Sequence, residues 1–237
     1  MARAGTKRAA AALAILAVVG ATVPASHSAE HLTRISRDLL CITEGALQEA
    51  GQRFEVSVPK MRAYVTRWTS PSVATTFTYL GPSANEAKLA SGETRRQFGL
   101  KLRAQDACNL VYAMWRLTPQ AELVVSVKSN PGQHSSAECG NRGYRNVKPL
   151  HGSRLPVLRA GDKHSLSAEM QGEQLRVLVD GSVVWEGSVG ADALAFDGPV
   201  GIRSDNVRLE FELQAGDVSR THPNPDIACR TGPSEDE

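Results

Sequence analysis

The residues best suited to chemistry gather between positions 95 and 145. Arg95, Arg96, Lys101, Arg103, Arg116 and Lys128 fall on or beside segments of strand character and are interleaved with Tyr112 and Trp115. Guanidinium and ammonium groups donate charge-assisted hydrogen bonds, and flat rings cover the apolar C–H faces of sugars. Together these types suit an oligosaccharide, above all an acidic one. Farther on, Glu138-Cys-Gly-Asn-Arg-Gly-Tyr144 lies in a long polar segment from Ser129 to Gly152, where Asn141, Arg142 and Tyr144 add donors and a ring. The candidate ligand-binding set is Arg103, Tyr112, Arg116, Lys128, Asn141, Arg142 and Tyr144. Tyr112 and Trp115 differ in strand parity, so at most one of them belongs to that face. The competing expectation is that Trp115 is core and the cations are ordinary outward positions of edge strands.

A second constellation is Arg208-Leu-Glu-Phe-Glu-Leu213. On a strand, Glu210 and Glu212 share a face with Cα atoms about 6.5–7 Å apart, near the separations of glycosidase carboxylates. The same alternation, with Leu209, Phe211 and Leu213 on the opposite face, reads as the solvated side of a half-buried strand, and that reading is preferred. Gly-x-Ser-x-Gly, His-Glu-x-x-His and phosphate-loop motifs do not occur, so no catalytic residue and no cofactor are assigned. Asp180, Asp192, Asp197 and Asp205 fall at expected turns, where Asp bonds its own backbone. Calcium among them is the one metal alternative. Zinc is not expected, because there is no Cys-x-x-Cys and only His134 lies near Cys139.

Cys41, Cys108, Cys139 and Cys229 are the only cysteines. An even count in a chain bound for an oxidising compartment predicts two disulfides. Four cysteines allow three pairings. The preferred one joins Cys108 to Cys139, across a strand and a loop, and Cys41 to Cys229, tying the two ends together.

Export is expected from the first residues. Arg3, Lys7 and Arg8 precede an uncharged run from Ala9 to Val23, and Val23-Pro24-Ala25 makes cleavage after Ala25 the preferred expectation, with sites up to Ala29 as alternatives. The run is too short to span a bilayer, so the mature chain should have no membrane span. Removing residues 1–25 leaves 212 of the 237 residues, and 24 basic groups against 25 acidic ones. A near-neutral chain with no basic run offers no footprint for nucleic acid, whose binding rests on neutralising phosphates. The expected partner is a carbohydrate or another cell-surface ligand, and the expected location is extracellular or periplasmic.

These groups need elements to position them. Leu32, Ile35, Leu39, Ile42 and Ala46 recur at helical steps before Gly51, which predicts a helix over roughly 31–50; Leu39-Leu40-Cys41-Ile42 reads alternatively as a buried strand. From residue 54 the pattern turns to short apolar runs separated by Gly, Pro, Asn and Asp. Strands are expected over 54–58, 61–66, 74–80, 97–104, 109–117, 123–128, 164–170, 175–180, 183–186, 200–204 and 208–213. Asp180-Gly181 between Leu175-Arg-Val-Leu-Val179 and Ser182-Val-Val-Trp185 is a strong hairpin signal. The organisation expected is a signal peptide over 1–25, a helical extension over 30–52, a mainly β two-sheet antiparallel sandwich over 53–215, and a C-terminal extension over 216–237 with a disordered acidic tail.

The stretch from His164 to Leu213 resembles the closing half of a concanavalin A-like (laminin G-like) jelly roll. His164-Ser-Leu-Ser-Ala-Glu-Met170, the hairpin from Leu175 to Trp185, and Gly198-Pro-Val-Gly-Ile-Arg-Ser-Asp-Asn206 entering the last strand carry the likeness. The resemblance implies a jelly-roll sandwich. That superfamily includes lectin modules, glycoside hydrolases, polysaccharide lyases and adhesion modules, so it implies no single activity. The Glu-x-Asp-x-Glu strand of laminarinase-like hydrolases and the clustered Asp/Asn metal loop of legume-type lectins are absent here. A non-catalytic recognition module is therefore the expected function. The alternatives are a glycoside hydrolase or lyase, and a structural or protein-interaction domain.

Overall fold

The computed structural model describes residues 1–2, 32–66, 69–216 and 229. The expected signal segment and the acidic tail lie outside the described residues, apart from Met1 and Ala2. Among the described residues, sixteen strands form two antiparallel sheets. In chain order they are β1 (Thr33–Arg34), β2 (Leu40–Glu44), β3 (Gln48–Ala50), β4 (Arg53–Val56), β5 (Lys60–Val65), β6 (Ser72–Pro82), β7 (Gln97–Leu102), β8 (Leu110–Arg116), β9 (Glu122–Lys128), β10 (Tyr144–Val147), β11 (His151–Gly152), β12 (Lys163–Gln171), β13 (Gln174–Val179), β14 (Ser182–Ser188), β15 (Gly201–Asp205) and β16 (Val207–Ala215). The first sheet runs β11-β14-β13-β12-β6-β16-β4-β3, with β1 also on β16; the second runs β10-β9-β8-β7-β15-β5-β2.

Alternation decides which side chains meet between the sheets. Val207, Leu209, Phe211 and Leu213 of β16 and Val73 and Phe77 of β6 point inward from the nine-stranded sheet. Phe98, Leu100, Val111, Ala113, Trp115, Val125 and Ile202 answer from the seven-stranded one. At the centre the Phe77 ring stands edge-on to Phe98 at 4.6 Å and to Trp115 at 5.7 Å, and Phe98 stacks on Trp115 at 5.8 Å. Such pairs each add about 0.5–1.5 kcal/mol beyond the area they bury.

The hairpin at Asp180-Gly181 forms as expected, with φ of +50° and +76°, joining β13 to β14. The helix expected over 31–50 does not form. That segment holds one 3-10 turn at Arg37–Leu39, and the rest pairs into the sheets as β1, β2 and β3. Strand pairing overrides the helical spacing there. Leu40 and Cys41 are buried against β5, and Gly51, read as a helix stop, instead turns the β3–β4 hairpin with φ +63°. The sandwich therefore begins before residue 53. Both expected disulfides are present, Cys41 to Cys229 and Cys108 to Cys139. The second spans 31 residues, a closure that lowers unfolded-chain entropy by about 3–4 kcal/mol.

Trp115→Ala should lower the free energy of unfolding by about 3–5 kcal/mol in a guanidinium titration. The exposed Thr76→Ala should stay within about 0.5 kcal/mol of the parent. Equal effects at the two positions would refute the central role given to the ring cluster.

Candidate functional site

Because the core claims one face of the seven-stranded sheet, the other face carries the polar half of each alternating strand. Lys60, Arg62 and Tyr64 stand on β5, Arg203 and Asp205 on β15, and Gln97 and Lys101 on β7. Tyr112, Met114 and Arg116 follow on β8, Val124, Ser126 and Lys128 on β9, and Tyr144 and Asn146 on β10. Over this face lies a cleft of about 420 Å³. Its floor is Gln97, Tyr112, Met114, Val124, Ser126 and Arg203; Arg116, Gly140, Asn141, Tyr144 and Asn146 line one side, and the 89–95 segment lines the other.

That second wall is held by one side chain. Asn206, between β15 and β16 with φ +57°, accepts from the Ala87 amide at 2.8 Å and donates to the carbonyls of Ala87 and Arg95, both at 2.9 Å. The opposite wall is pinned by the Cys108–Cys139 bridge. A helical turn at Ser136–Cys139 precedes Gly140, and its capping box joins Ser135 to Glu138. Three N–H and O–H donors at Ser135 and His134 hold the exposed Glu138 carboxyl down to about 2.

At the centre the Tyr144 ring stacks on Tyr112 with centroids 6.1 Å apart, and the Arg203 guanidinium lies over Tyr112 at 5.2 Å. Arg203 also donates to the Tyr144 hydroxyl at 3.4 Å. Burial pushes the Tyr112 phenol up to about 12, although Arg203 pulls the other way. For Tyr144, desolvation acts to raise the phenol, but Arg203 and Lys128 together outweigh it and hold it below its ordinary value. Tyr144 is the one exposed aromatic ring among the described residues, at 37 %.

Beneath the rings Asp205 is fully buried. Its Oδ2 accepts from Arg203 Nε at 2.9 Å and from Gln97 Nε2 at 2.7 Å, and Arg62 Nη2 lies 2.7 Å from Oδ1. Burial alone would raise this carboxyl, but the two guanidiniums and the amide bring it down to about 2. Asp205 in turn fixes where Arg203 sits.

Of the residues expected from sequence, the structure brings Tyr112, Arg116, Asn141 and Tyr144 to the cleft. Arg116 is held by Glu122 at 3.0 Å. Lys128 is buried behind the stack. Its ammonium donates to the carbonyls of Ala107 and Gly140 and lies 5.1 Å from the Tyr144 ring centroid, so it supports the wall. Arg103 is elsewhere: β7 ends at Leu102, and a φ of +49° turns Arg103 away to donate to the carbonyls of Ala193 and Leu194. Arg142 points back to the carbonyls of Glu138 and Cys139. Tyr144 belongs to a strand, β10, not to the loop expected there. Arg203, Gln97 and Asn146 were not anticipated, and Asp205, expected at a turn, is instead the last residue of β15. The alternation Gly-Ile-Arg203-Ser-Asp205 was the available signal, placing a cation and an anion on one strand face.

The other constellations lie apart. Glu210 and Glu212 are on β16 in the nine-stranded sheet, where Glu210 pairs with Arg53 at 2.6 Å and Glu212 with Arg34 at 3.8 Å. Asp180 accepts from Ser165 and binds His164, and Asp192 binds Arg145. Among the described residues no group of three or more His, Cys, Asp or Glu converges as metal ligands, and no helix is long and apolar enough to cross a membrane.

Asp205→Asn should destabilise the chain by about 3–5 kcal/mol at pH 7, because two buried guanidiniums lose their counter-charge. Asp205 ionises more readily folded than unfolded, so its contribution is complete above about pH 4 and disappears as pH falls through about 2. Urea unfolding of the variant should therefore show a flatter pH dependence between 4 and 2 than the parent. An unchanged slope would remove Asp205 from this role.

No protein-family model and no curated protein matches the chain. Among solved structures, the carbohydrate-binding module CBM66 of Bacillus subtilis superposes with a TM-score of 0.51 at 12 % identity, covering 76 % of this chain and 93 % of that one. Domain 4 of AbnA, an extracellular arabinanase of Geobacillus stearothermophilus, in complex with arabinotriose, gives 0.40 at 12 % identity over 76 % and 84 %. A galectin of Caenorhabditis elegans gives 0.38 at 10 % over 76 % and 99 %. At such identities the likeness concerns the fold alone, a two-sheet antiparallel jelly-roll sandwich.

Proposed function

We propose that this chain is an exported, non-catalytic carbohydrate-recognition module that binds its ligand in the cleft over the seven-stranded sheet. The observation that carries the reading is the exposed Tyr144 ring set among amide and guanidinium donors, Gln97, Asn141, Asn146, Arg116 and Arg203, in a cleft of about 420 Å³. A sugar ring offers an apolar face to such a platform and hydroxyls to such donors. Most of these groups stand on paired strands, so the geometry is fixed before a ligand arrives. The name of the Bacillus subtilis module, a carbohydrate-binding one of the same fold, supports the reading by analogy.

Recognition is favoured over glycoside hydrolysis by the carboxylates. Hydrolysis uses two, about 5–10 Å apart across the scissile bond. Glu93, at the cleft wall, is paired with Arg95, and Asp205 is locked beneath the floor. Export, which the four cysteines and the leading basic-then-apolar segment support, gives such a module polysaccharides to meet.

Screening the chain on a glycan array should give hits above background, and Tyr144→Ala should weaken the best of them about tenfold, the equivalent of about 1.4 kcal/mol of lost stacking. Far-UV circular dichroism of the variant should keep the parent's β signature, showing that the sandwich is folded. Incubation with the same polysaccharides should release no reducing or unsaturated ends. An array blank throughout would overturn the glycan reading, and released ends would replace recognition with catalysis.

A further inference from the structure

Lys101 is the anomaly of this face. It is 5 % exposed, yet its ammonium makes no hydrogen bond or ion pair with any described residue, and its one recorded contact is the Tyr64 ring, 5.5 Å from the centroid. On β15 the residue opposite it is Gly201, which brings no side chain; on β8 it is Tyr112, part of the cleft floor. Arg62 and Arg203 stand nearby, with side chains 14 % and 12 % exposed, and Lys128 is buried too. Against these four cations the charges that act on them are those of Asp205 and Glu44, with Asp106 farther off near Lys128. Asp205 is already shared between two guanidiniums, and Glu44 between Arg62 and Lys60.

A buried cation without a direct counter-charge is costly, and a strongly perturbed group beside a cleft is a candidate for function. Burial first, then repulsion from Arg62 and Arg203, lowers the Lys101 ammonium to about 7, with Glu44 and Asp205 opposing. At neutral pH it is thus ready to take up a proton when negative charge comes near.

We infer that the cleft is selective for acidic oligosaccharides, whose carboxylate or sulfate group enters against Arg203 and supplies the negative charge that Lys101, paired across the sheet with the floor residue Tyr112, lacks. The inference rests on the glycan reading above and narrows it. An anion beside Arg203 and the Tyr144 hydroxyl would accept hydrogen bonds from both, and Arg203 stands two residues along β15 from Gly201, the position opposite Lys101. It need not displace Asp205.

The experiment uses the purified chain and an array carrying each skeleton in charged and uncharged form: oligogalacturonides with their methyl esters for the carboxylate arm, and κ-carrageenan oligosaccharides with their desulfated forms for the sulfate arm. At least tenfold tighter binding of a charged member than of its partner is expected in one arm, and that arm identifies the anion. Lys101→Met should reduce the preference to less than threefold while leaving uncharged sugars within twofold, and Lys101→Arg should retain it. At pH 7 the binding enthalpy of the charged sugar should vary with the ionisation enthalpy of the buffer, reporting proton uptake, and this variation should vanish in Lys101→Met.

Folding is controlled for by stability against pH. Faced by Tyr64 and Arg62 from β5, Arg203 and Asp205 from β15, Tyr112 from β8 and Glu44 from β2, Lys101 releases its proton near pH 7 when folded and near 10 when unfolded. The unfolded chain holds more protons in that window, so stability from this group rises with pH across it, and Lys101→Met should remove the rise. Charged and uncharged sugars binding alike would overturn the selectivity and leave the glycan reading standing. An array with no hits of either kind would overturn both.

Discussion

The contact of Phe77 with Phe98 and Trp115 governs the rest of the molecule. Three rings from β6, β7 and β8 fill the centre between the sheets and commit one parity of each strand to the interior. A register slip of one residue would turn Trp115 out and Tyr112 in, and every residue of the polar face would exchange with it. Dispersion and water exclusion at the middle of the sandwich thus decide which side chains face a ligand. Tyr112, three residues from Trp115, is on the cleft floor because Trp115 is in the core.

The polar face has its own organising charge. Asp205 takes up two guanidiniums and an amide, and the Arg203 it fixes lies over one tyrosine ring and reaches the hydroxyl of the next. The aromatic platform and the buried carboxylate are therefore one unit. The arrangement turns a face that would otherwise be a row of independent, mobile side chains into one with fixed donors, which is what recognition of a weakly distinguished ligand such as a sugar requires.

Much of the architecture was legible because its cause is local. Segments with period-two alternation between Gly, Asp, Asn and Pro turns became strands, and the Asp180-Gly181 hairpin formed where its dihedral demands placed it. β1 and β3 were hidden, and β2 was legible only as the alternative strand over Leu39 to Ile42, because the apolar residues of this stretch fall by coincidence at helical steps. β10 was hidden because Tyr144-Arg-Asn-Val147 at a sheet edge has no buried face to pattern it. In the site, Tyr112, Arg116, Asn141 and Tyr144 were legible from residue type and surroundings. Arg203 and Asp205 were not, because a charged pair on the outer face of a strand is ordinarily solvated. Here the loop and β10 that cover them arrive from distant positions, Tyr144 being 59 residues from Arg203. Arg103 was misplaced because β7 ends two residues short of the expected strand, and a φ of +49° rotates Arg103 off the face.

The wall pinned by Asn206 bears on how a ligand comes and goes. Three hydrogen bonds at the single buried Asn206 amide tie both ends of the 87–95 segment to the turn between two core strands. On the proposed function, a wall held at both ends makes the cleft an open channel. Sugar chains would then exchange along it at a rate set by individual contacts, and tight attachment to a polymer would come from many copies engaging many repeats at once.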